Sequence, residues 1–439
     1  MKGLRPRSIP LPTARAFGLL CASALVALAS TPIAGVAVVF VLALVAVDGW
    51  LASRERGLTT TFDLPRRVGQ GQQGQFHLEL DNRSGREQRL VLAVEADPSL
   101  VTAQALAPRE VTVPQGGRAR LAFDLHARLR GTRGLAALHL RRRGPLGLAW
   151  RLERRAQQLA VEIIPGLREA NAHVMRTAYH QRRDPGLRRA RRRGNGGSFE
   201  SLRGYVRGDD PRHLDWKATA RHGAAMVRQY EAERSQSIVL CIDCGRMMGE
   251  RFGELERLDH ALAASVVLAR VAATWHDQVG LFAFADRVLR RIPPRAASPD
   301  RLASELASLK AISVEPDYPR ALLELTRTLR RRSLIVCFTD VVDDEVSAPL
   351  AAHLALLARR HLPLLIALRN PHLALAAAAP VTDERGAYRR AAAAELESVR
   401  AVSLAGLRRA GVQVVDIDPN QSVPAVIEAY LRIKSRQIL

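Results

Sequence analysis

Cysteine, lysine and aromatic residues are all scarce in this chain. Four cysteines, at positions 21, 241, 244 and 337 of 439 residues, are too few to staple so long a chain. A disulfide scaffold is therefore excluded, and a reducing compartment fits better. The lysines are only Lys2, Lys217, Lys310 and Lys434, so nearly all the positive charge is arginine set in an alanine-rich background. Lys+Arg at 66 against Asp+Glu at 43 give a net charge of +23, which invites a nucleic-acid reading. Aromatic residues at 5% offer no stacking platform for bases, so that reading is set aside. A basic surface equally suits anionic lipid headgroups or an acidic protein partner. Enzyme signatures are missing as well. There is no H-E-x-x-H pair and no G-x-S-x-G, and no Gly-Lys-Ser/Thr follows Gly194, Gly196 and Gly197 to make a phosphate loop. What remains is ordinary folded protein, 47% hydrophobic and 25% charged, with length for two or three domains.

The 32 residues from Ala16 to Val47 carry no charge, and their one strong breaker is Pro32. A single perpendicular span needs about 20 residues. A break at Ser30-Thr31-Pro32 gives two apolar stretches, Ala16 to Ala29 and Ile33 to Val47, and predicts a transmembrane helical hairpin within residues 1–58. Lys2, Arg5, Arg7 and Arg15 precede the segment, and Arg54, Arg56, Arg66 and Arg67 follow it. A hairpin keeps both basic clusters in the cytoplasm, as the positive-inside rule prefers, and contacts membrane lipid throughout. One tilted span and a cleaved signal peptide are the alternatives.

Residues 59–165 read as about seven short strands separated by turns, which predicts a small antiparallel β-sandwich-like domain of immunoglobulin type. The alternation in Gln75-Phe76-His77-Leu78-Glu79-Leu80 is the clearest of these strands. Residues 166–236 form a basic, glycine-containing linker followed by a denser segment. From 237 to 439, apolar runs alternate with helical periodicity, from Ile238–Asp243 to the closing helix Val423–Ser435. That order predicts an α/β domain with a doubly wound, mostly parallel sheet. Ligands in such sheets gather at the carboxyl ends of the strands, where Asp243 and Asp340 fall.

The densest chemistry lies between Ser198 and Arg221. Glu200, Asp209, Asp210 and Asp215 are interleaved with Arg203, Arg207, Arg212, Lys217 and Arg221, together with Phe199, Tyr205 and Trp216. In plain structural terms, Gly208 turns the chain, Asp210 caps a helix and Pro211 opens it. This segment resembles the signature of a bacterial family known as domain of unknown function 58, DUF58. The resemblance rests on Gly208, Asp209, Asp210, Arg212, Asp215 and Trp216, with Glu200, Arg203 and Tyr205 before them and Arg221 after.

The family pairs a membrane hairpin and a β-rich region with a von Willebrand factor A-like domain, and its genes often neighbour MoxR-type AAA+ ATPases. In such a domain the metal ion-dependent adhesion site, or MIDAS, is Asp-x-Ser-x-Ser, a Thr and a further Asp, around a hard cation such as Mg²⁺. Here Asp243-Cys244-Gly245-Arg246-Met247 keeps the first Asp and loses both hydroxyls. No Thr occurs near Glu315-Pro316-Asp317-Tyr318, while Asp340 is kept. If any metal binds, Asp243 and Asp340 hold it; a degenerate site without metal is the expectation. Cys241 and Cys244 also form a C-x-x-C, but Cys241 and Cys337 lie in apolar strand runs, which favours packing over thiol chemistry.

The expected function is therefore non-enzymatic. The chain reads as a module anchored in the cytoplasmic membrane and facing the cytoplasm, an adaptor or scaffold for a MoxR-type AAA+ ATPase. The alternatives are a metal-dependent enzyme using the acids of the signature segment, and a basic surface for anionic lipid or nucleic acid.

Overall fold

A computed structural model describes residues 9–26, 31–54, 57–166, 198–206, 211, 214–231, 235–340 and 344–436. The fold is mixed α/β and divides into two units, Met1–Gly166 and Leu167–Leu439.

The first unit begins with β1 (Ile9–Pro12), α1 (Ala14–Val26) and α2 (Thr31–Arg54). Pro32 opens α2 at its first turn, where its missing N–H costs nothing, and so marks a beginning rather than a break. The second apolar helix is longer than its sequence suggested: Pro32–Ala52 is long and apolar enough to cross a membrane, whereas α1 is shorter. The chain continues through β2 (Leu58–Asp63), β3 (Arg67–Gly69), β4 (Gln73–Asn82), β5 (Gln88–Ala96) and α3 (Ala103–Leu106). It ends in β6 (Arg109–Val113), β7 (Arg118–His126), β8 (Gly131–Arg143) and β9 (Ala149–Ile164).

Two sheets result. One runs β1-β9-β8-β5-β6, with β3 alongside β9, and the other β2-β4-β7. Alternation in β4 sends Phe76, Leu78 and Leu80 inward, and in β5 Leu90, Leu92 and Val94, so both sheets line one core. Phe76 and Phe123 stack at its centre, with centroids 5.1 Å apart. Residues 9–12, which precede the apolar stretch, form an edge strand: Leu11 pairs with Trp150.

In the second unit, β10 (Ser198–Gly204) and β11 (Met226–Glu231) form an antiparallel ribbon with α4 (Trp216–His222) between them in sequence. Next come β12 (Ser237–Asp243), the short pair β13 (Arg251–Phe252) and β14 (Leu255–Glu256), α5 (Arg257–Thr274), β15 (Gln278–Phe284) and β16 (Val288–Ala296). The remainder comprises α6 (Pro299–Ala307), α7 (Tyr318–Thr328), β17 (Leu334–Thr339), α8 (Asp344–Ala358), β18 (Leu362–Leu368), α9 (Pro371–Ala378), α10 (Glu384–Arg409), β19 (Gln413–Ile417) and α11 (Ser422–Ser435). The sheet order is β16-β15-β12-β17-β18-β19, parallel except for the edge strand β16.

Strands β17 and β18 are buried along their whole length because helices cover the sheet. Val239, Cys241, Ile335 and Cys337 pack with α7, α8 and α10, and their neighbours in sequence turn the other way. The closing helix is tied down by buried Asp277, which accepts from Tyr430 Oη and Lys434 Nζ at 2.5 Å each and from the Gln236 N–H at 2.8 Å. Truncating Phe123 to Ala removes half of the stacked pair at the core of the first unit. It is expected to lower that unit's stability by ~3–5 kcal/mol, read as a fall in the urea midpoint of the detergent-solubilised chain.

Candidate functional site

Asp243 closes β12 and Asp340 follows β17, on adjacent parallel strands at the point where the chain's winding reverses direction. The two acids are held differently. Asp243 is buried, and each of its oxygens already accepts hydrogen bonds from the protein. Oδ1 takes the Gly245 N–H at 2.7 Å, while Oδ2 takes the Thr339 hydroxyl at 2.6 Å and the Tyr318 phenol at 3.1 Å. Burial raises the Asp243 pKa despite these donors, and the nearby Asp340 charge adds to the rise. Burial and Asp243 together push the Tyr318 phenol upward, which keeps it a donor.

Asp340 is shared between two guanidinium groups. Its Oδ2 pairs with Arg257, the first residue of α5, and its Oδ1 with Arg400 of α10 at 2.7 Å. Arg257 is fully buried, and Arg400 and Asp340 nearly so. The network extends outward on both sides. Arg257 reaches Glu250 at 2.7 Å and the Met247 carbonyl at 3.1 Å, and Glu250 accepts from Asn370 at 2.6 Å. Arg400 reaches Asp416 at 3.0 Å, which also binds Arg369 at 3.0 Å.

These residues do not fit a divalent cation. A hard cation needs several free oxygens around one point; among the described residues, one carboxylate here already accepts three neutral donors and the other lies between two positive charges. Gly245 stands where a hydroxyl would be required. A Cβ there would come within 2.9 Å of Pro316 Cδ and 3.0 Å of Asp243 Oδ1, so the loop is built around glycine. Asp243 caps the following loop through the Gly245 N–H, and the arginine partners fall to Asp340.

The signature residues are distributed otherwise. Gly208, Asp209, Asp210 and Arg212 lie outside the described residues, as does the side chain of Glu200. A cap is seen at Asp215, whose Oδ1 accepts the N–H groups of Lys217 and Ala218 at 3.0 Å each at the start of α4; the cap expected at Asp210 lies outside the described residues, and the Pro211 carbonyl accepts the Leu214 N–H at 3.2 Å. Arg203 donates to the Gly204 carbonyl at 3.0 Å. Tyr205 and Arg221 are exposed, and Trp216 is 73% exposed, an unusual degree for an indole.

Cys241 and Cys337 are buried register partners on neighbouring strands. The hydrogen bond with Cys337, reinforced by burial, holds the Cys241 thiol well above its ordinary value, which disfavours a thiolate. Arg257 and Arg400 were not singled out from the sequence. The only signal that could have flagged them is an arginine opening one helix and another recurring within a second, and in an arginine-rich chain that signal is drowned.

Asp340→Ala leaves two buried guanidiniums without their carboxylate and is expected to cost ~3–5 kcal/mol in urea unfolding. The raised pKa of Asp243 means that the folded state holds its proton more tightly than the unfolded chain does. Stability relative to Asp243→Asn should therefore fall as pH climbs from the ordinary Asp value of 3.8 through the folded-state pKa, a trend that urea midpoints across pH would reveal.

Residues 201–377 match the family described as protein of unknown function DUF58. Among curated proteins, the uncharacterized protein Rv1480 of Mycobacterium tuberculosis (strain ATCC 25618 / H37Rv) is 27% identical over 144 residues, covering 31% of this chain and 44% of its own length. The uncharacterized protein Mb1516 of Mycobacterium bovis (strain ATCC BAA-935 / AF2122/97) matches to the same extent. The chain thus spans less than half the length of these relatives. Among solved structures, the C-terminal domain of wzt is 14% identical with a TM-score of 0.19, covering 26% of this chain and 77% of that one, a likeness too slight to carry any argument. Over residues 201–377 the chain is similar to the DUF58 family.

Proposed function

We propose that this chain is a membrane-anchored, cytoplasm-facing interaction module without catalytic activity, an adaptor or scaffold for an AAA+ ATPase of MoxR type. The observation that carries this reading is the pairing of both Asp340 oxygens with Arg257 and Arg400. At the strand ends, where an α/β sheet usually gathers a ligand, buried ion pairs fill the place a cation would take. The order β16-β15-β12-β17-β18-β19, with its one antiparallel edge and the Asp243 and Asp340 pair, supports a von Willebrand factor A-like reading with a MIDAS that has lost its metal.

Exposed Trp216, with Lys217 and Arg221 beside it on α4, supplies the kind of anchor that dominates protein interfaces. The anchor reading gains support from the first unit. β1 before α1 and β2 after α2 both join sheets of that unit, as expected when a helical hairpin returns the chain to the side it left.

Two experiments test the proposal. In calorimetric titration with Mg²⁺, no saturable binding is expected. Gly245→Ser should not create any and should lower stability by ~1–3 kcal/mol through overpacking; a saturable Mg²⁺ isotherm lost in Asp243→Asn would sink the metal-free reading. A pull-down from solubilised membranes with and without ATP should recover an AAA+ ATPase with the wild-type chain and at least about tenfold less with Trp216→Ala. Recovery of no ATPase in either nucleotide state would remove the partner claim.

A further inference from the structure

Asp48 is a charged residue inside the apolar stretch Pro32–Ala52, and it is fully buried. Its Oδ1 accepts the Leu146 N–H at 2.7 Å, and its Oδ2 the N–H groups of Leu148 and Ala149 at 2.7 Å each. All three donors belong to the turn joining β8 to β9 and its first strand residue. Gly144, in the same turn, leaves no room for a Cβ against the carboxylate. Thr13, just ahead of α1, grips the turn as well: its N–H donates to the Leu148 carbonyl and its hydroxyl to the Gly147 carbonyl, at 2.9 Å each. The hairpin tip is thereby pinned beside α2 about 6 Å inside the end of the apolar stretch, at 1.5 Å rise per residue. If that stretch crosses a bilayer, whatever is bonded to Asp48 is carried down into the headgroup layer.

The pinned tip has the chemistry of that layer. Leu146 is 50% exposed at its apex, and Leu11 is 46% exposed beside its register partner Trp150. The Arg141 guanidinium lies 4.4 Å over the Trp150 ring, and that of Arg143 lies 5.7 Å from it. Trp50, two residues after Asp48 on α2, is itself 51% exposed. Indole rings flanked by arginine and exposed leucine are the side chains that settle where acyl chains meet phosphates.

We propose that the β8–β9 tip is a second membrane contact, seating Leu146 at the edge of the acyl region while Arg141 and Arg143 meet the phosphates of anionic headgroups. The proposal rests on the reading of Thr31–Arg54 as a membrane helix. Its consequence is that the first unit is held against the bilayer at a fixed depth instead of swinging on a tether.

The test uses nitroxide labels on the full-length chain in vesicles of phosphatidylcholine mixed with phosphatidylglycerol. Cys21 is the one exposed cysteine among the four, so Cys21→Ser is the background. Labels are placed at Leu146→Cys, at Val36→Cys within α2 and at Ala107→Cys on a solvent-facing turn of the same unit. Collision with oxygen is expected to exceed collision with a water-soluble nickel complex at 36 and 146, and the reverse at 107. A lipid reading at 36 with an aqueous reading at 146 overturns the tip contact alone; an aqueous reading at 36 overturns the membrane helix and the tip contact with it. Arg141→Gln combined with Arg143→Gln should raise nickel collisions at 146 by about twofold or more and leave 36 unchanged. No change at 146 would overturn the headgroup role of the two arginines.

Discussion

A single carboxylate between two buried arginines organises the candidate site. Asp340 joins the end of β17 to the first residue of α5 and to the middle of α10, so one side chain ties the sheet to two helices. A fully buried guanidinium is costly unless its charge is met at close range, and the cost of removing either partner falls on the one left behind. The outer pairs Arg257–Glu250 and Arg400–Asp416 spread this compensation over a chain of alternating charges. Such a network balances its charges internally, with both Asp340 oxygens taken by arginine.

The first unit depends on the same kind of device beside its apolar helix α2. Asp48 answers three backbone N–H groups of a tight turn that would otherwise have to find partners next to an apolar helix. Asp48 and Asp340 are both buried acids; one is satisfied by amides and the other by guanidiniums. In each case the acid fastens elements far apart in sequence, 98 residues apart from Asp48 to Leu146 and 83 from Arg257 to Asp340. Each unit is thus fastened internally by a buried acid, the first through Asp48 and the second through Asp340.

Much of this is legible in the amino-acid sequence. Period-two alternation marked Phe76, Leu78 and Leu80 as an inward row, and continuous apolar runs marked the central parallel strands, because those patterns record which faces meet water. The uncharged run from Ala16 to Val47 announced apolar helix. Its bounds were less legible: Asp48 reads as the end of an apolar helix when its desolvation is unknown, and α2 continues to Arg54 because the turn between β8 and β9 satisfies that charge. The helix start at Asp215 was not legible. Asp215 caps α4, which is tied to the β10–β11 ribbon through the Met226 backbone, a long-range contact that no local motif announces.

By itself the sequence determined the periodicities, the uncharged helix, the signature residues and the loss of hydroxyls at Gly245 and Met247, since each of these is local and survives in one dimension. The tertiary structure alone decided that Arg257 and Arg400 converge on Asp340, that Tyr318 and Thr339 converge on Asp243, and that Asp48 meets the turn around Leu146. Those partners are separated by tens of residues, and charge pairing depends on distance in space and on burial, neither of which a list of residues contains.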